Sequence, residues 1–174
     1  VIQRVLFAAV CGLASVAAHA VIIDQPAPEV TGVAMADGKP LKLSSFKGKV
    51  VYLDIWASWC GPCRISLPIL QKMHEELAPL GVEVIGLDID EEELHARKLM
   101  SDAGVTYPVL RGIGDDTLKR YEIIQMPAAY LIDRDGVVRY SYQGFSEKGF
   151  RSIRPMVEEL ARTGRIEQRE KEKR

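Results

Sequence analysis

The sequence predicts an α/β domain with a central mixed β-sheet flanked by helices on both faces. Three observations predict it. Residues 50–57 (VVYLDIWA) and 82–89 (VEVIGLDI) are near-continuous apolar runs, the pattern of strands covered on both faces. Each run is followed by a segment with helical periodicity. Residues 129–133 and 137–142 then flank Arg134-Asp135-Gly136, a hairpin turn whose Gly tolerates positive φ, so a late antiparallel pair closes the sheet.

The elements follow in order. Residues 24–32 carry two Pro and read as an extended lead-in. Gly38-Lys39-Pro40 is a turn, residues 41–43 (LKL) alternate briefly, and residues 44–48 form a second turn. After the first long strand, residues 61–77 read as a helix whose apolar face is Ile65, Ile69, Met73 and Leu77, with a kink expected at Pro68. Residues 91–103 form an amphipathic helix stopped by Gly104, and residues 115–121 a short one. Beyond the hairpin, Ser146 can cap a final helix that runs to about Arg162. The order is β-α-β-α-(α)-β-β-α.

The length of 174 residues suits one domain with short appendages. Residues 1–20 have a basic start at Arg4, an uncharged apolar stretch from Val5 to Ala18, and the small–x–small site Ala18-His19-Ala20. They read as a cleavable signal peptide, shorter than the run of about 20 apolar residues that a membrane-spanning anchor needs, so export is expected; an uncleaved N-terminal anchor is the alternative. Residues 21–162 are the folded domain. Residues 163–174 are a tail, and eight of the last ten residues are charged. A hydrophobic fraction of 47% against 27% charged residues supports a buried core and excludes wholesale disorder. With a net charge of −1 there is no basic footprint for nucleic acid.

The chain has three Cys, at 11, 60 and 63, and the first lies in the leader. The remaining pair sits in Trp59-Cys60-Gly61-Pro62-Cys63, where the first long strand becomes a helix. A two-residue gap lets both sulfurs meet across one helical turn. Cys60 falls at the helix N-terminus, where unpaired N–H groups and the helix dipole favour a thiolate. Cys63 lies one turn inside. The roles are therefore asymmetric: Cys60 attacks a substrate disulfide, and Cys63 then attacks Cys60 and releases the substrate. Pro62 suits the first turn because its missing N–H would be unpaired there anyway. A structural staple gains most from closing a long loop, and this one closes almost none. A structural zinc site needs about four ligands, and His74 and His95 are not spaced to complete one. The expectation is a redox-active disulfide with no other cofactor and no metal.

Residues 50–70 (VVYLDIWASWCGPCRISLPIL) resemble the active-site strand and helix of the thioredoxin superfamily. The longer frame resembles the exported TlpA/ResA-type thiol–disulfide oxidoreductases. That frame comprises Ala27-Pro28-Glu29, LKLSSFKGK, Tyr107-Pro108 and MPAAYLIDRDG at 126–136. The resemblance covers roughly residues 26–160 and implies a thioredoxin-like fold. It implies a cis-proline at Pro127, facing the disulfide, with Met126 beside it free to pair with an extended substrate chain. It implies that Asp54, six residues before Cys60 in an apolar strand, takes and returns the proton of Cys63. Trp59, Gly61 and Pro62 would then line the docking surface, and Trp56 is read as core.

The sequence also departs from its relatives. Many of the TlpA/ResA type have an acid three residues after the second Cys, where this chain has Ser66. Thioredoxins often have a Lys on the next strand near the buried acid, and ungapped matching places Gly86 there. The acidic run at 88–93 (DIDEEE) lacks EF-hand spacing and reads as a strand end leading to an acid-capped helix. The resemblance implies a monomeric periplasmic reductase of protein disulfides, supplied by a membrane electron donor of the DsbD/CcdA kind, with cytochrome c biogenesis among the processes it would serve. The competing classes are an oxidant that installs disulfides, a peroxiredoxin-like antioxidant, and a binding module without turnover, which the retention of both Cys disfavours.

Overall fold

In the computed structural model, which describes residues 23–112 and 115–166, the chain enters its sheet through two short strands. These are β1 (Thr31–Ala34) and β2 (Pro40–Lys42), paired antiparallel to one another and followed by a 3-10 turn over Leu43–Phe46. The lead-in of the sequence reading is thus partly a strand. Its four residues alternate exposed and half-buried between β2 and β5, too few to stand out by pattern. The expected leader and residues 167–174 of the expected tail lie outside the described residues.

The main elements follow as the apolar runs predict. Strand β3 (Val50–Trp56) leads into α1 (Gly61–Leu77), and β4 (Val82–Asp88) into α2 (Glu93–Asp102). Next come β5 (Val109–Arg111), the short α3 (Asp115–Arg120), the hairpin β6 (Ala128–Ile132) and β7 (Val138–Gln143), and α4 (Glu147–Thr163). The sheet order is β2-β1-β5-β4-β3-β6-β7. β3 and β4, and β4 and β5, run parallel, while β6 runs antiparallel to β3. This is a mixed sheet with β3 near its centre. Every residue of β3 and β4 is buried, as expected of strands covered on both faces.

One face packs against α1, α2 and α4 through Tyr52, Trp56, Cys63, Leu67, Leu70, Leu99, Val157 and Leu160. The other gathers Leu53, Ile55, Ile85, Leu87, Tyr121 and Tyr130, with Leu118 of α3 against them. The hairpin turn is closed at Gly136, with φ of 85°. The Ser146 side chain caps α4 by accepting from the Gly149 N–H. The domain packs as far as Ile166, which is buried with α4. Among the described residues, no helix is long and apolar enough to cross a membrane.

The apolar face expected of α1 needs correction. Ile65 and Ile69 are 54% and 42% exposed, and the buried side is Cys63, Ser66, Leu67, Leu70, Gln71, Met73 and Leu77. A four-residue spacing overshoots the 3.6-residue turn by about 40° at each step, so the stripe 65-69-73-77 winds around the helix. Only its far end reaches the core. The burial of Cys63 sets the true face, through Leu67 and Leu70 above it. α1 runs on through Pro68.

The two stripes make separable demands. Leu67→Ala should destabilise the fold by about 2–5 kcal/mol, whereas Ile65→Ala should stay within about 0.5 kcal/mol of wild type. Urea denaturation of both variants checks this, and equal losses would contradict the assigned face.

Candidate active site

The site is built where β3 ends. Residues 57–59 carry the chain from β3 to Cys60, which is the N-cap of α1. The turn is held by the Cys60 N–H donating to the Ala57 carbonyl (3.1 Å). Cys60 and Cys63 form a disulfide with Cα atoms 5.3 Å apart. The Cys63 N–H donates to the Cys60 carbonyl (3.1 Å) and to Cys60 Sγ (3.2 Å). Cys60 therefore lies over the free N–H groups of a helix start, the setting that favours a thiolate. Cys63 is wholly buried beneath it, among Leu67, Leu70 and the β3 side chains.

Trp59, 67% exposed, stands in front of the pair, and Gly61 and Pro62 are also exposed. Cys60, itself only 6% exposed, lines a groove of about 480 Å³ whose other lining includes Trp59, Pro62, Ile89, Leu118, Ile124 and Met126. The Met126–Pro127 peptide bond is cis, as the resemblance implies; Met126 lines the groove and Pro127 is buried. Ile124 is 91% exposed. Gln143 of β7 holds this segment. Its Oε1 accepts from the Ile124 and Gln125 N–H groups (2.9 and 3.2 Å), and its Nε2 donates to the Glu122 carbonyl (3.0 Å).

Asp54 is buried in β3 on the same face of the strand as Tyr52 and Trp56, the face that packs against α1. Its Oδ2 has no hydrogen-bond partner among the described residues. Burial raises its carboxyl from the ordinary 3.8 to about 7. Burial, reinforced by the nearby Asp54 charge, pushes the hydroxyls of Tyr52 and Tyr107 well above the usual range. Gly86 is the register partner of Asp54 on β4. A Cβ there would lie 2.8 Å from Trp56 Nε1 and 3.3 Å from Tyr107 Cε2. The place where a lysine is looked for is thus filled by two aromatic rings, and a longer side chain has no room. Ser66 spends its hydroxyl on the Cys63 carbonyl (3.1 Å).

The acidic run does not stay together. Glu93 pairs with Arg97 and Arg111 at the start of α2, and the N-cap, Glu92, makes no side-chain cap bond. Asp88 and Asp90 are both buried. Burial, reinforced by the Asp90 carboxylate, holds the Asp88 carboxyl well above the usual range. Asp90 accepts from both the N–H and the hydroxyl of Ser58, each at 2.8 Å. Sequence reasoning missed Asp90, Ser58, Tyr107 and Gln143 as parts of the site. Ser58 stands two residues before Cys60 and Tyr107 within the Tyr107-Pro108 pair, but neither has a reactive side chain to mark it; Gln143 lies outside every motif, and Asp90 is hidden in a run of like residues.

The comparisons agree with this geometry. The family profile described as Redoxin matches residues 23–159. A thiol-disulfide oxidoreductase ResA of Bacillus thuringiensis subsp. konkukian is 34% identical over 112 residues, covering 64% of this chain and 65% of that one. The chain therefore spans slightly less than two thirds of the length of that relative. The crystal structure of a candidate thiol:disulfide interchange protein DsbE from Chlorobium tepidum superposes with a TM-score of 0.74 at 30% identity, covering 82% of this chain and 98% of that one. The thioredoxin domain of a thiol-disulfide oxidoreductase from Bacteroides vulgatus gives 0.70 at 25% identity, covering 79% and 99%.

Asp54 makes stability depend on pH. Between the unfolded chain's ordinary 3.8 and the native midpoint of about 7, the native state keeps a proton that the unfolded state has lost. Stability should therefore be full below about pH 4, fall as the pH rises through about 7, and then level, for a total of up to about 4 kcal/mol. Asp88, whose carboxyl is also raised, contributes a fall of the same sign. Asp54→Asn should remove the Asp54 share and flatten the profile. Denaturation midpoints at several pH values test this, and superimposable slopes for wild type and variant would refute it.

Proposed function

The chain belongs to the redoxin family of the thioredoxin superfamily, and from that premise we propose that it is an exported thiol–disulfide oxidoreductase that reduces disulfides of protein clients through Cys60 and Cys63. The observation that carries the reading is the asymmetry of the pair, with one sulfur at a groove and a helix N-terminus and the other sealed below it. In the reduced protein the Cys60 thiolate attacks one sulfur of a client disulfide. That S–S bond breaks, the client's second sulfur leaves as a thiolate, and a mixed disulfide remains. Cys63 then gives up its proton and attacks Cys60 Sγ, so the client leaves with both sulfurs reduced and the protein keeps the disulfide. Two electrons pass from the dithiol to the client.

Asp54 is assigned the proton of Cys63. A carboxyl with a midpoint of about 7 is matched to proton exchange near neutral pH. Its position on the α1-packed face of β3, under the helix that carries Cys63, supports the assignment. Here it works without a neighbouring lysine, because Gly86 stands opposite. Met126 and Pro127 are assigned the seat of the client chain, and Trp59, Gly61 and Pro62 its flank. The side chains named for the groove carry no charge, which suits a client cysteine with apolar neighbours. The leader-like residues 1–20 support a periplasmic location. There a reduced pair has to be maintained against an oxidising environment, the task of a membrane donor of the DsbD/CcdA kind. The disulfide is the whole redox group in this reading.

Cys63→Ser, reduced, should trap a covalent mixed disulfide with a disulfide-bonded peptide, whose second sulfur leaves as a thiolate, and Cys60→Ser should trap none. Mass spectrometry under non-reducing conditions decides between them, and adducts on Cys63 would reverse the assigned roles. Equilibration with glutathione should give a potential well below about −120 mV, the value of a strong oxidant; a value near that figure would turn the reading from reductase to oxidant. Asp54→Asn should slow resolution of the mixed disulfide by roughly 10²-fold and remove the inflection near pH 7 that Asp54 contributes, followed by stopped-flow release of the client thiol. An unchanged rate would remove Asp54 from the mechanism.

A further inference from the structure

We infer that Asp90 is a positioning residue for the redox pair, gripping Ser58 and thereby fixing the turn that presents Trp59 and Cys60. Asp90 follows β4 by two residues and is buried. Both of its carboxylate oxygens go to one residue: Oδ2 accepts from the Ser58 N–H and Oδ1 from the Ser58 hydroxyl, each at 2.8 Å. Two bonds to one residue fix its orientation as well as its distance. The opposite side of Ser58 is held too, because Arg64 Nε of α1 donates to the Ser58 carbonyl (3.1 Å).

Asp90 is anchored in its turn. Its own N–H donates to Asp88 Oδ1 (3.0 Å), and the preceding Ile89 N–H donates to the Trp56 carbonyl (3.1 Å), carrying the β3–β4 pairing one step past the strand ends. The Asp88 carbonyl accepts from Gly112 N–H (3.3 Å), beyond β5. The position of Ser58 is thus referred to the centre of the sheet, and Cys60 follows two residues later. Asp90 acts on the sulfurs through Ser58 and the turn rather than by touching them. The inference rests on thiol exchange at Cys60, which the wild-type protein tests by itself in the same assay.

The experiment uses the reduced full chain, with wild type, Ser58→Ala, Asp90→Asn and Asp90→Ala compared. The rate at which Cys60 reacts with iodoacetamide and with 5,5′-dithiobis(2-nitrobenzoate) is read, with far-UV circular dichroism as the check of folding. Losing the grip should cost about tenfold in rate for Asp90→Ala, the equivalent of about 1.4 kcal/mol. Asp90→Asn keeps an acceptor for the N–H and offers a donor to the hydroxyl oxygen, so it should restore the rate to within about threefold of wild type. Ser58→Ala keeps only the N–H bond and should fall between the two. A folded Asp90→Ala as fast as wild type overturns the inference, as does Asp90→Asn as slow as Asp90→Ala. Should Asp90→Ala not fold, Ser58→Ala reacting at the wild-type rate overturns it equally. A wild-type Cys60 inert to both reagents would instead sink the exchange reading beneath it.

Discussion

The junction between β3 and α1 has to satisfy two opposed demands. One sulfur must meet a client, and the other must stay out of water until it is needed. An α-helix starting directly under the end of a central strand meets both, because its first turn has free N–H groups at the rim and its second faces the core. Cys60 as N-cap and Cys63 three residues on divide those environments between them. The rest of the site follows from this placement. Leu67, Leu70 and β3 enclose Cys63, and the groove with Met126 and Ile124 lies against Cys60, the one sulfur of the pair that keeps some exposure.

The fold keeps three buried acids near this junction and treats them differently. Among the described residues Asp54 has an oxygen without a partner, and burial raises its carboxyl to about 7, so it is ready to change its protonation state. Asp90 commits both oxygens to Ser58 and serves as a fixed point. Asp88 stands between the roles. It receives the Asp90 N–H and lies in register with Arg111 across β5, yet burial still favours its neutral form. What separates the three is the supply of hydrogen-bond donors around each carboxyl, since a buried charge without them is the costly state. The same logic explains Gly86. With Trp56 and Tyr107 packed over it, no cation can be brought to Asp54, and its proton affinity stays high.

Much of this was legible in the residues. The two long buried strands, the four helices, the hairpin at Gly136, the Ser146 cap and the Cys pair at a helix start all announce themselves through runs, turns and spacing. The short strands did not. β1 and β5 have four and three residues, below the length at which alternation can be told from chance. The face of α1 was misjudged at Ile65 and Ile69 because a repeat of four looks like a stripe on paper but spirals on a helix.

The sequence by itself determined the order of the main elements, the reactive motif and the presence of an acid in the central strand. These are properties of neighbours along the chain, where periodicity and turn chemistry act. Only the tertiary structure decided which groups meet across it: Gly86 opposite Asp54, Tyr107 over Gly86, Gln143 under the Ile124 loop, and Asp90 on Ser58. Those contacts join residues far apart in the chain. Strand register and helix rotation set them, and both are fixed by how the whole core packs rather than by any local pattern.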